Sequence, residues 1–564
     1  MSRLSIEHKI SHLLESSVLD LFRSLDKEPQ SDISDMVFVN IPSDNKHGDL
    51  TTNISMRLTK QLRMNPIDMA ERIRGFLMAR LCKSKIAEYI ESIDVVKPGF
   101  LNIWFSNKFL HKTLEQAKKE GARFGSNQEG KNKSVQIEFV SANPTGPLTV
   151  AHGRQAAVGD ALSRVMKFCG YMVEKEYFIN DEGRQINVLG RSILYHYLAF
   201  YGVGMEFPED GYRGDYIKEI SGLIVKESGD KFVKGYERHI NYFCEYGVRL
   251  ILDIIKKDLK SFDVGFDSWF SQKKLTKNII DKAIEDLRKK GFVYDRDNAT
   301  WFNSIKFGDE KDRVIVKSDG AFTYFAPDIA YHLNKYKRGF ELLINIWGPD
   351  HHGYIPRLSA ACQAMGKPKE SLSVLIVQLA TIYRAGQAIS MSTRKGEFLS
   401  LREVFHEVGK DVAKFVFLMR KLDSHLDFDL DIAKKQSHDN PVYYVQYAHA
   451  RIWSIIGFSD GIKEKMDTVD LDLDLLKEPE EKELSRLVLQ FPVYVRDSAI
   501  NLEPYYIIVY LNNLAKMFHN FYTKHRVVTD DLSLSKARLF LVDCVRICLA
   551  NGLNLVGVSL PKRM

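Results

Sequence analysis

Residues 134–169 read SVQIEFVSANPTGPLTVAHGRQAAVGDALSRVMKFC, and this stretch decides the fold. The apolar run at 135–140 has the length and the β-branched and aromatic content of a buried parallel strand. A turn rich in Asn, Pro and Gly follows, and from about His152 the small and apolar residues repeat with a helical period. A strand, a tight loop and a helix in this order offer backbone N–H groups and a helix N-terminus to a phosphate. The stretch therefore predicts a nucleotide site, with a purely structural turn as the alternative.

The composition limits the class of protein. The chain has 564 residues, 45% of them hydrophobic and 27% charged, as in ordinary globular proteins. This length predicts about three or four domains. Lys and Arg number 80 against 73 for Asp and Glu, and the resulting charge of +7 is compatible with a polyanionic partner without requiring one.

The cysteine pattern and the hydropathy predict the compartment. Six cysteines are scattered without a C-x-x-C pair or a nearby His at zinc-binding spacing, so we expect reduced thiols and no protein-bound structural metal. The chain has neither a run of about eighteen apolar residues nor a signal peptide. We therefore expect a cytoplasmic protein that does not enter a membrane.

The rest of the chain divides around this first unit. Residues 1–125 predict a small α+β domain that ends at a linker of Gly, Asn and Lys. A helix-rich segment at about 190–310 predicts an insertion in the sheet domain, and from about Gly409 the pattern is almost purely helical. Further strands are predicted at 172–179, 342–347 and 374–379. Since polar residues follow the strands that end at Val140, Ile179 and Trp347, we expect these residues to meet in one crevice.

The loop at 141–152, SANPTGPLTVAH, identifies a family. It resembles the ATP-binding signature of class I aminoacyl-tRNA synthetases in the form found in arginyl-tRNA synthetases, S-x-N-P-T-G-P-L-H-x-G-H. His152 keeps the final His, whereas Thr149 and Ala151 stand where the family has His and Gly. The loop at 390–396, SMSTRKG, corresponds to the family's second signature, K-M-S-K-S, with Ser390 and Thr393 in place of both lysines.

The resemblance covers nearly the whole chain and implies an α/β fold. This fold consists of an N-terminal α+β domain at 1–125 that contacts the tRNA corner, a Rossmann-like parallel-sheet catalytic domain at 126–408 with a helical insertion at about 190–310, and an α-helical anticodon-binding domain at 409–564. The family's reaction joins L-arginine to tRNA(Arg) through arginyl-adenylate and consumes ATP with Mg²⁺. Its first step needs bound tRNA. A monomer is expected.

The resemblance also implies residue roles. Catalytic roles are expected for His152, Arg394 and Lys395. ATP contacts are expected from Pro144, Gly146, Thr149, Ala151, His152, Gly153, Asp350, His352, Met391 and Ser392. Arginine contacts are expected from Glu138, Ser141, Asn143, Gln185, Tyr324 and Asp328, of which Asp328 would accept two parallel bonds from the guanidinium. Bases of the tRNA are expected to contact Tyr443, Tyr447 and Arg451, since aromatic stacking beside basic groups holds unpaired bases.

Two other functions are compatible with parts of the sequence. The departures at Thr149, Ala151, Ser390 and Thr393 suit a non-catalytic tRNA-binding protein descended from a synthetase, although such a protein would not need the arginine-binding set. A different nucleotidyltransferase with the same signature would not explain the helical C-terminal region. Arginine-dependent exchange of pyrophosphate with ATP in the presence of tRNA distinguishes the enzyme from the binding protein.

Overall fold

The computed structural model describes residues 3–42, 44–389, 399–437, 439–459 and 468–564. The α-helices are α1 (Arg3–Ser24), α2 (Ile54–Leu62), α3 (Pro66–Leu81), α4 (Asn107–Glu120), α5 (Val150–Phe168), α6 (Arg184–Phe200), α7 (Asp215–Ser228), α8 (Ile240–Ser261), α9 (Lys277–Lys289), α10 (Phe325–Lys337), α11 (Ile355–Ala364), α12 (Leu401–Val408), α13 (Lys410–Phe417), α14 (Leu430–Ala433), α15 (Pro441–Ser459), α16 (Pro479–Ile500), α17 (Tyr505–Lys524) and α18 (Leu532–Leu555). The strands are β1 (Leu50–Thr52), β2 (Ile90–Val96), β3 (Phe100–Phe105), β4 (Ser134–Glu138), β5 (Met172–Ile179), β6 (Ser268–Ser271), β7 (Val293–Arg296), β8 (Ala299–Phe302), β9 (Arg313–Val316), β10 (Leu342–Trp347), β11 (Leu372–Ile376), β12 (Ala380–Arg384), β13 (Gln387–Ala388) and β14 (Leu426–Asp429).

The N-terminal region has its own core. Strands β1, β3 and β2 form an antiparallel sheet in that order, and helices α1, α2 and α3 belong to the same region. Apolar side chains of α1, such as Ile10, Leu14 and Val18, are fully or almost fully buried in this core. An α+β unit therefore precedes the linker, as the sequence predicts.

A five-stranded parallel sheet positions the site. Its strand order is β11-β10-β4-β5-β6, and every neighbouring pair is parallel. Strand β4 is the middle strand of this order, and its successive residues from Val135 to Glu138 are all buried, as in a strand that is covered on both faces. The chain runs from β4 to β5 on one side, whereas β10 lies on the other side. The carboxyl ends of β4 and β10 are thus the switch point at which such sheets bind ligands.

The region at 190–310 differs from the predicted helical insertion. Helices α6, α7 and α8 do fill its first half, but β6 (Ser268–Ser271) then joins the edge of the parallel sheet. Strands β7, β8 and β9 form a separate antiparallel sheet. Strand β6 has only four residues, too few for a period to emerge from the sequence. It is held by packing, since the Trp269 ring stacks on Tyr177 with centroids 4.4 Å apart.

The C-terminal region also differs from the prediction at one place. Helices α15 to α18 form the expected bundle, but β14 (Leu426–Asp429) is a strand after residue 409 and pairs in parallel with β12. Its apolar residues, Leu426 and Phe428, are buried and alternate with Asp427 and Asp429, but a strand of four residues is too short for this alternation to stand out in an otherwise helical pattern. None of the described helices is both long and apolar enough to cross a membrane.

Candidate active site

A cleft of about 540 Å³ lies at the carboxyl ends of β4 and β10. It is bounded by α5, by the N-terminal end of α10 and by the segment that follows β10. Eight of the predicted site residues line it: Glu138, Ser141, Asn143, Ala151, His152, Tyr324, Asp328 and Asp350. The cleft therefore joins residues that are distant in the sequence: Glu138 and Asp350 are 212 positions apart.

The chain leaves β4 through a strained turn. Val140 and Ser141 have φ angles of 66° and 38°, in the left-handed region that a β-branched residue such as valine rarely adopts. The Ser141 N–H donates to the Phe139 carbonyl at 2.9 Å, which closes a three-residue turn around Val140. The Ser141 hydroxyl donates to Glu138 Oε1 at 3.1 Å and accepts from the Phe178 N–H. Strain of about 1–3 kcal/mol at each such residue persists only where the surroundings enforce it, and functional sites are where it clusters.

His152 lies in the first turn of α5 with one ring nitrogen already occupied. Its Nδ1 accepts from the Thr149 backbone N–H at 3.1 Å, and the Thr149 hydroxyl lies 3.1 Å from the same nitrogen. Burial lowers the pKa of His152 to about 4, so the ring is neutral at pH 7. Because Nδ1 is an acceptor in the neutral ring, the proton resides on Nε2. His152 is therefore a neutral hydrogen-bond donor at the cleft.

Asp328 faces the cleft from the first turn of α10. Its Oδ2 accepts the Tyr354 hydroxyl, and burial raises the pKa of the carboxyl group to about 7, with a further contribution from the charge of Glu138. Tyr324, four residues earlier, is at the rim with 79% of its surface exposed. An ionised carboxylate and an exposed aromatic ring in the same cleft suit a planar cation.

Below Asp328 lies a buried polar network that the sequence did not reveal. The Lys335 ammonium, fully buried, donates to Glu138 Oε2 at 2.5 Å and to Asn345 Oδ1 at 3.1 Å. The Asn345 amide lies 2.9 Å from His332 Nε2, and His332 Nδ1 lies 2.8 Å from the Asp328 carbonyl. Burial lowers the pKa of His332 to about 3, so this ring is neutral. When Asp328 is ionised, two carboxylates thus face one ammonium, which leaves the cleft floor negatively charged.

A second recess of about 280 Å³ adjoins the cleft and shares Asn143 and His152 with it. Three more predicted residues line this recess: Gly146, Thr149 and Gln185. The Asn143 amide donates to Gln185 Oε1 at 2.7 Å, which joins the loop after β4 to the start of α6. The Tyr216 hydroxyl donates to the Thr145 carbonyl at 2.7 Å and closes the recess from the side of α7. The signature loop is therefore held from two sides.

Three predicted residues line neither the cleft nor the recess. Pro144 is buried within the turn. Gly153 faces α12 and not the cleft, because a Cβ atom built on it would lie 2.5 Å from Leu401 Cδ1. His352 is exposed, and its neighbour His351 lines the cleft instead. The predicted residues of the second signature, Met391, Ser392, Arg394 and Lys395, lie outside the described residues.

The predicted tRNA-binding residues lie on α15, away from the cleft lining. The rings of Tyr443 and Tyr447 are stacked with centroids 6.1 Å apart, and His519 extends the stack at 5.8 Å from Tyr447. Arg451 donates to the Tyr522 hydroxyl at 2.9 Å and lies over that ring. The helix therefore presents stacked aromatic rings and a guanidinium, and the binding of tRNA bases by these residues stays a prediction.

Comparison with known proteins identifies the family. Residues 5–105 match the arginyl tRNA synthetase N terminal domain, 113–423 the catalytic domain of class I tRNA synthetases (R), and 445–564 the DALR anticodon binding domain. An arginine–tRNA ligase from Citrifermentans bemidjiense is 45% identical over 531 residues, which cover 93% of this chain and 94% of that protein. The match to an arginine–tRNA ligase from Bacillus licheniformis has 42% identity and covers the whole of both chains.

A solved structure gives the same fold. The arginyl-tRNA synthetase of Thermus thermophilus superposes with a TM-score of 0.76 at 22% identity, and all of both chains is covered. The expected fold class is thereby confirmed. The extent and identity of the sequence matches show that this chain belongs to the arginyl-tRNA synthetase family, the class I ligases that form arginyl-tRNA.

Proposed function

We propose that the protein attaches L-arginine to tRNA(Arg) in two steps within the cleft described above. The arginine carboxylate attacks the α-phosphorus of ATP and forms arginyl-adenylate with release of pyrophosphate. The terminal ribose hydroxyl of the tRNA then takes the arginyl group, and AMP leaves. The observation that carries this proposal is that Asp328 and His152, an anionic group and a hydrogen-bond donor, line one cleft.

The arginine side chain would bind at Asp328. The carboxylate would accept two parallel guanidinium bonds, each contributing about 1.5–3 kcal/mol, while Tyr324 covers the planar group. Glu138, Ser141, Asn143 and Gln185 would bind the amino-acid end. Tyr354 has a positioning role in this scheme, because its hydroxyl occupies one lone pair of Asp328 Oδ2 and fixes the carboxylate plane.

Arginine binding should depend on pH through Asp328. The carboxyl group must be ionised to accept the guanidinium, and its pKa of about 7 in the free enzyme means that the ionised fraction falls about tenfold per pH unit below 7. We expect kcat/KM for arginine in pyrophosphate exchange to rise with pH up to about 7 to 8 and then to level off. The KM for ATP, measured in the same series, should vary much less. A flat arginine profile between pH 5.5 and 8 would contradict this assignment.

The phosphates of ATP would bind at the N-terminal end of α5. The His152 Nε2–H, the backbone around Gly146, Thr149 and Ala151, and the helix terminus supply donors for negative charge. Gly153 contributes indirectly, since its lack of a side chain lets α5 approach Leu401. We propose that Asp350 and a neighbouring His contact the adenosine side, and that ATP enters as its Mg²⁺ complex. Neither step needs a covalent enzyme intermediate, so catalysis rests on positioning and on neutralising phosphate charge.

Positive charge for the departing pyrophosphate is proposed to come from Arg394 and Lys395. Both lysines of the usual signature are replaced here, and these two residues are the nearest cations in that loop of the sequence. Replacement of both by Ala should slow adenylate formation by about tenfold to a thousandfold, whereas tRNA affinity should change little. Single-turnover pyrophosphate exchange and a filter-binding assay measure the two quantities. An unchanged exchange rate would show that the charge comes from elsewhere.

We propose that the tRNA contacts all three regions. The N-terminal region at 1–125 would meet the tRNA corner, and the stacked rings of α15 with Arg451 would hold unpaired anticodon bases within the region at 409–564. The enzyme is proposed to act as a monomer in the cytoplasm, which sedimentation of the protein and its tRNA complex and cell fractionation can test.

Arginine-dependent exchange of pyrophosphate into ATP in the presence of tRNA(Arg) tests the proposed function. We expect exchange with arginine and none with lysine, because an ammonium cannot make the two parallel bonds. Binding of tRNA without any exchange would instead support a non-catalytic tRNA-binding protein.

A further inference from the structure

The Tyr216 side chain reaches the signature loop at 141–152 from a distant part of the sequence. Tyr216 lies in the first turn of α7, and its hydroxyl donates to the Thr145 carbonyl at 2.7 Å. A Cβ atom built on Gly146 would lie 3.0 Å from the same hydroxyl oxygen, so the tyrosine fills the space beside that glycine. Tyr216 is therefore adjacent to two consecutive residues of the turn that precedes His152.

The helix that carries Tyr216 is itself fixed. The Ile217 side chain is fully buried in the hydrophobic core, and the Ser221 hydroxyl donates to the Ile193 carbonyl of α6 at 2.9 Å. Gly214 lets the Tyr216 ring lie close to the chain, because a Cβ atom at that position would overlap the ring. The hydroxyl that meets the signature loop is thus held by a packed pair of helices.

The peptide group between Thr145 and Gly146 has one bonded end and one unused end. It is trans, and the C=O and N–H groups of a planar trans peptide point in opposite directions. The C=O is bonded to Tyr216, whereas the Gly146 N–H makes no hydrogen bond with the described part of the chain. Because the carbonyl is held, the direction of this unused N–H group is fixed as well.

The unused N–H group belongs to the recess beside the cleft. Gly146 and His152 both line this recess, so a backbone donor and a neutral imidazole donor border the same space. Donors with a fixed direction act most strongly where negative charge increases during the reaction, as it does on phosphates in the transition state. Burial raises the pKa of Tyr216, so its hydroxyl keeps its proton and remains a donor to Thr145 at neutral pH.

We propose that Tyr216 is a positioning residue that holds the Thr145 carbonyl and thereby directs the Gly146 N–H at the phosphates of bound ATP. The tyrosine acts through the loop and does not touch the reacting atoms. This role rests on the proposed function, since the phosphates are those of the ATP that is consumed there. Helix α7, which lies outside both signatures, thus takes part in adenylate formation.

The variant Tyr216→Phe removes the hydroxyl and keeps the ring. We expect kcat for arginine-dependent pyrophosphate exchange, measured on the full-length protein with tRNA(Arg), to fall about tenfold, because the released peptide no longer points its donor at the transition state. The KM for arginine should stay within about twofold, since the arginine end of the cleft is unchanged.

The matched control is Tyr197→Phe. Tyr197 lies on α6, and its hydroxyl also donates to a backbone carbonyl, that of Gly229 at 2.6 Å, but neither residue lines the cleft or the recess. The control therefore loses the same kind of bond in the same pair of helices. Its kcat should stay within about twofold of that of the unmodified protein, even if its unfolding temperature falls.

A second measurement does not depend on turnover. Hydrogen exchange followed by mass spectrometry of the segment at 141–148 reports on the Gly146 amide with and without ATP. We expect ATP to slow hydrogen exchange of this amide about tenfold or more in the unmodified protein and in Tyr197→Phe, and much less in Tyr216→Phe.

The outcomes separate the positioning role from the proposed function. An unchanged kcat in Tyr216→Phe, or an equal fall in Tyr197→Phe, would overturn the positioning role. A Gly146 amide that ATP does not protect would overturn it as well. Protection by ATP that Tyr216→Phe abolishes, in a protein that never exchanges pyrophosphate, would refute the proposed function and leave the positioning of Gly146 standing.

Discussion

Asp328→Asn is expected to raise the arginine concentration required for half-maximal pyrophosphate exchange by about a hundredfold or more. The amide keeps the size of the carboxyl group but offers one oxygen and no charge, so one of two charge-assisted bonds is lost and the other weakened. At about 1.5–3 kcal/mol for the lost bond and roughly half as much for the weakened one, the loss corresponds to roughly 10²–10³ in affinity. Exchange at varied arginine, with ATP saturating, measures the effect.

Two controls show that the variant is folded and that the effect is local. The KM for ATP should stay within about threefold, because the phosphate donors at α5 are untouched. The unfolding temperature of the variant gives a second check that it is folded. The folded carboxyl group has a pKa raised from 3.8 to about 7, so its contribution to stability is greatest below pH 3.8 and is lost as the pH rises through 7. Asp328→Asn should therefore unfold at a higher temperature than the unmodified protein at pH 8. An unchanged arginine requirement would remove Asp328 from the pocket.

Lys335→Met is expected to lower the free energy of unfolding of the sheet domain by about 3–5 kcal/mol. The methionine fills a similar volume, but Glu138 then keeps its charge in a buried place without its ammonium partner. Removing one member of a buried ion pair is costly for this reason. Urea-induced unfolding of the full-length protein, followed by near-ultraviolet circular dichroism, measures the change.

The double variant Glu138→Leu, Lys335→Met distinguishes the cost of an unpaired buried charge from the cost of lost packing. With both charges gone, no unpaired ion remains, and at least half of the lost stability should return. Arginine-dependent exchange should remain impaired, because Glu138 is proposed to bind the amino-acid end. Equal instability of the single and double variants would show that the cost comes from lost packing and not from the uncompensated charge.

Backbone strain and charge repulsion are both concentrated at the cleft. The turn at Val140 directs Ser141 and Asn143 into the cleft at a cost in backbone energy, and the network under Asp328 holds two carboxylates near each other at a cost in charge repulsion. A bound arginine cation would lower the charge repulsion between the two carboxylates. The site is thus arranged to be more stable with its substrate than without it, which is the usual physical basis of tight and specific binding.

The parts of the site that the sequence could predict are those carried by local motifs. The strand, turn and helix at 134–169, the strands at 172–179 and 342–347, and the groups that follow them come from periodicity and turn residues within short windows. Lys335 and Tyr354 are site residues that the sequence does not indicate, because each acts through a partner, 197 and 26 positions away respectively. A lysine on a helix gives no sign in the sequence that it is buried. The regular spacing of Lys335 from Asp328, two helical turns later, was the one signal available.

The sequence by itself determined the α/β class, the order of the regions, the family and the candidate residues, because these depend on spacing along the chain and on residue type. Only the tertiary structure decided that β6 completes the sheet, that His152 is a neutral donor on Nε2, that Asp328 ionises near neutral pH and that Lys335 pairs with Glu138 in the interior. The reason is physical: burial and the field of neighbouring charges set protonation and pairing, and both arise only when distant segments of the chain pack together.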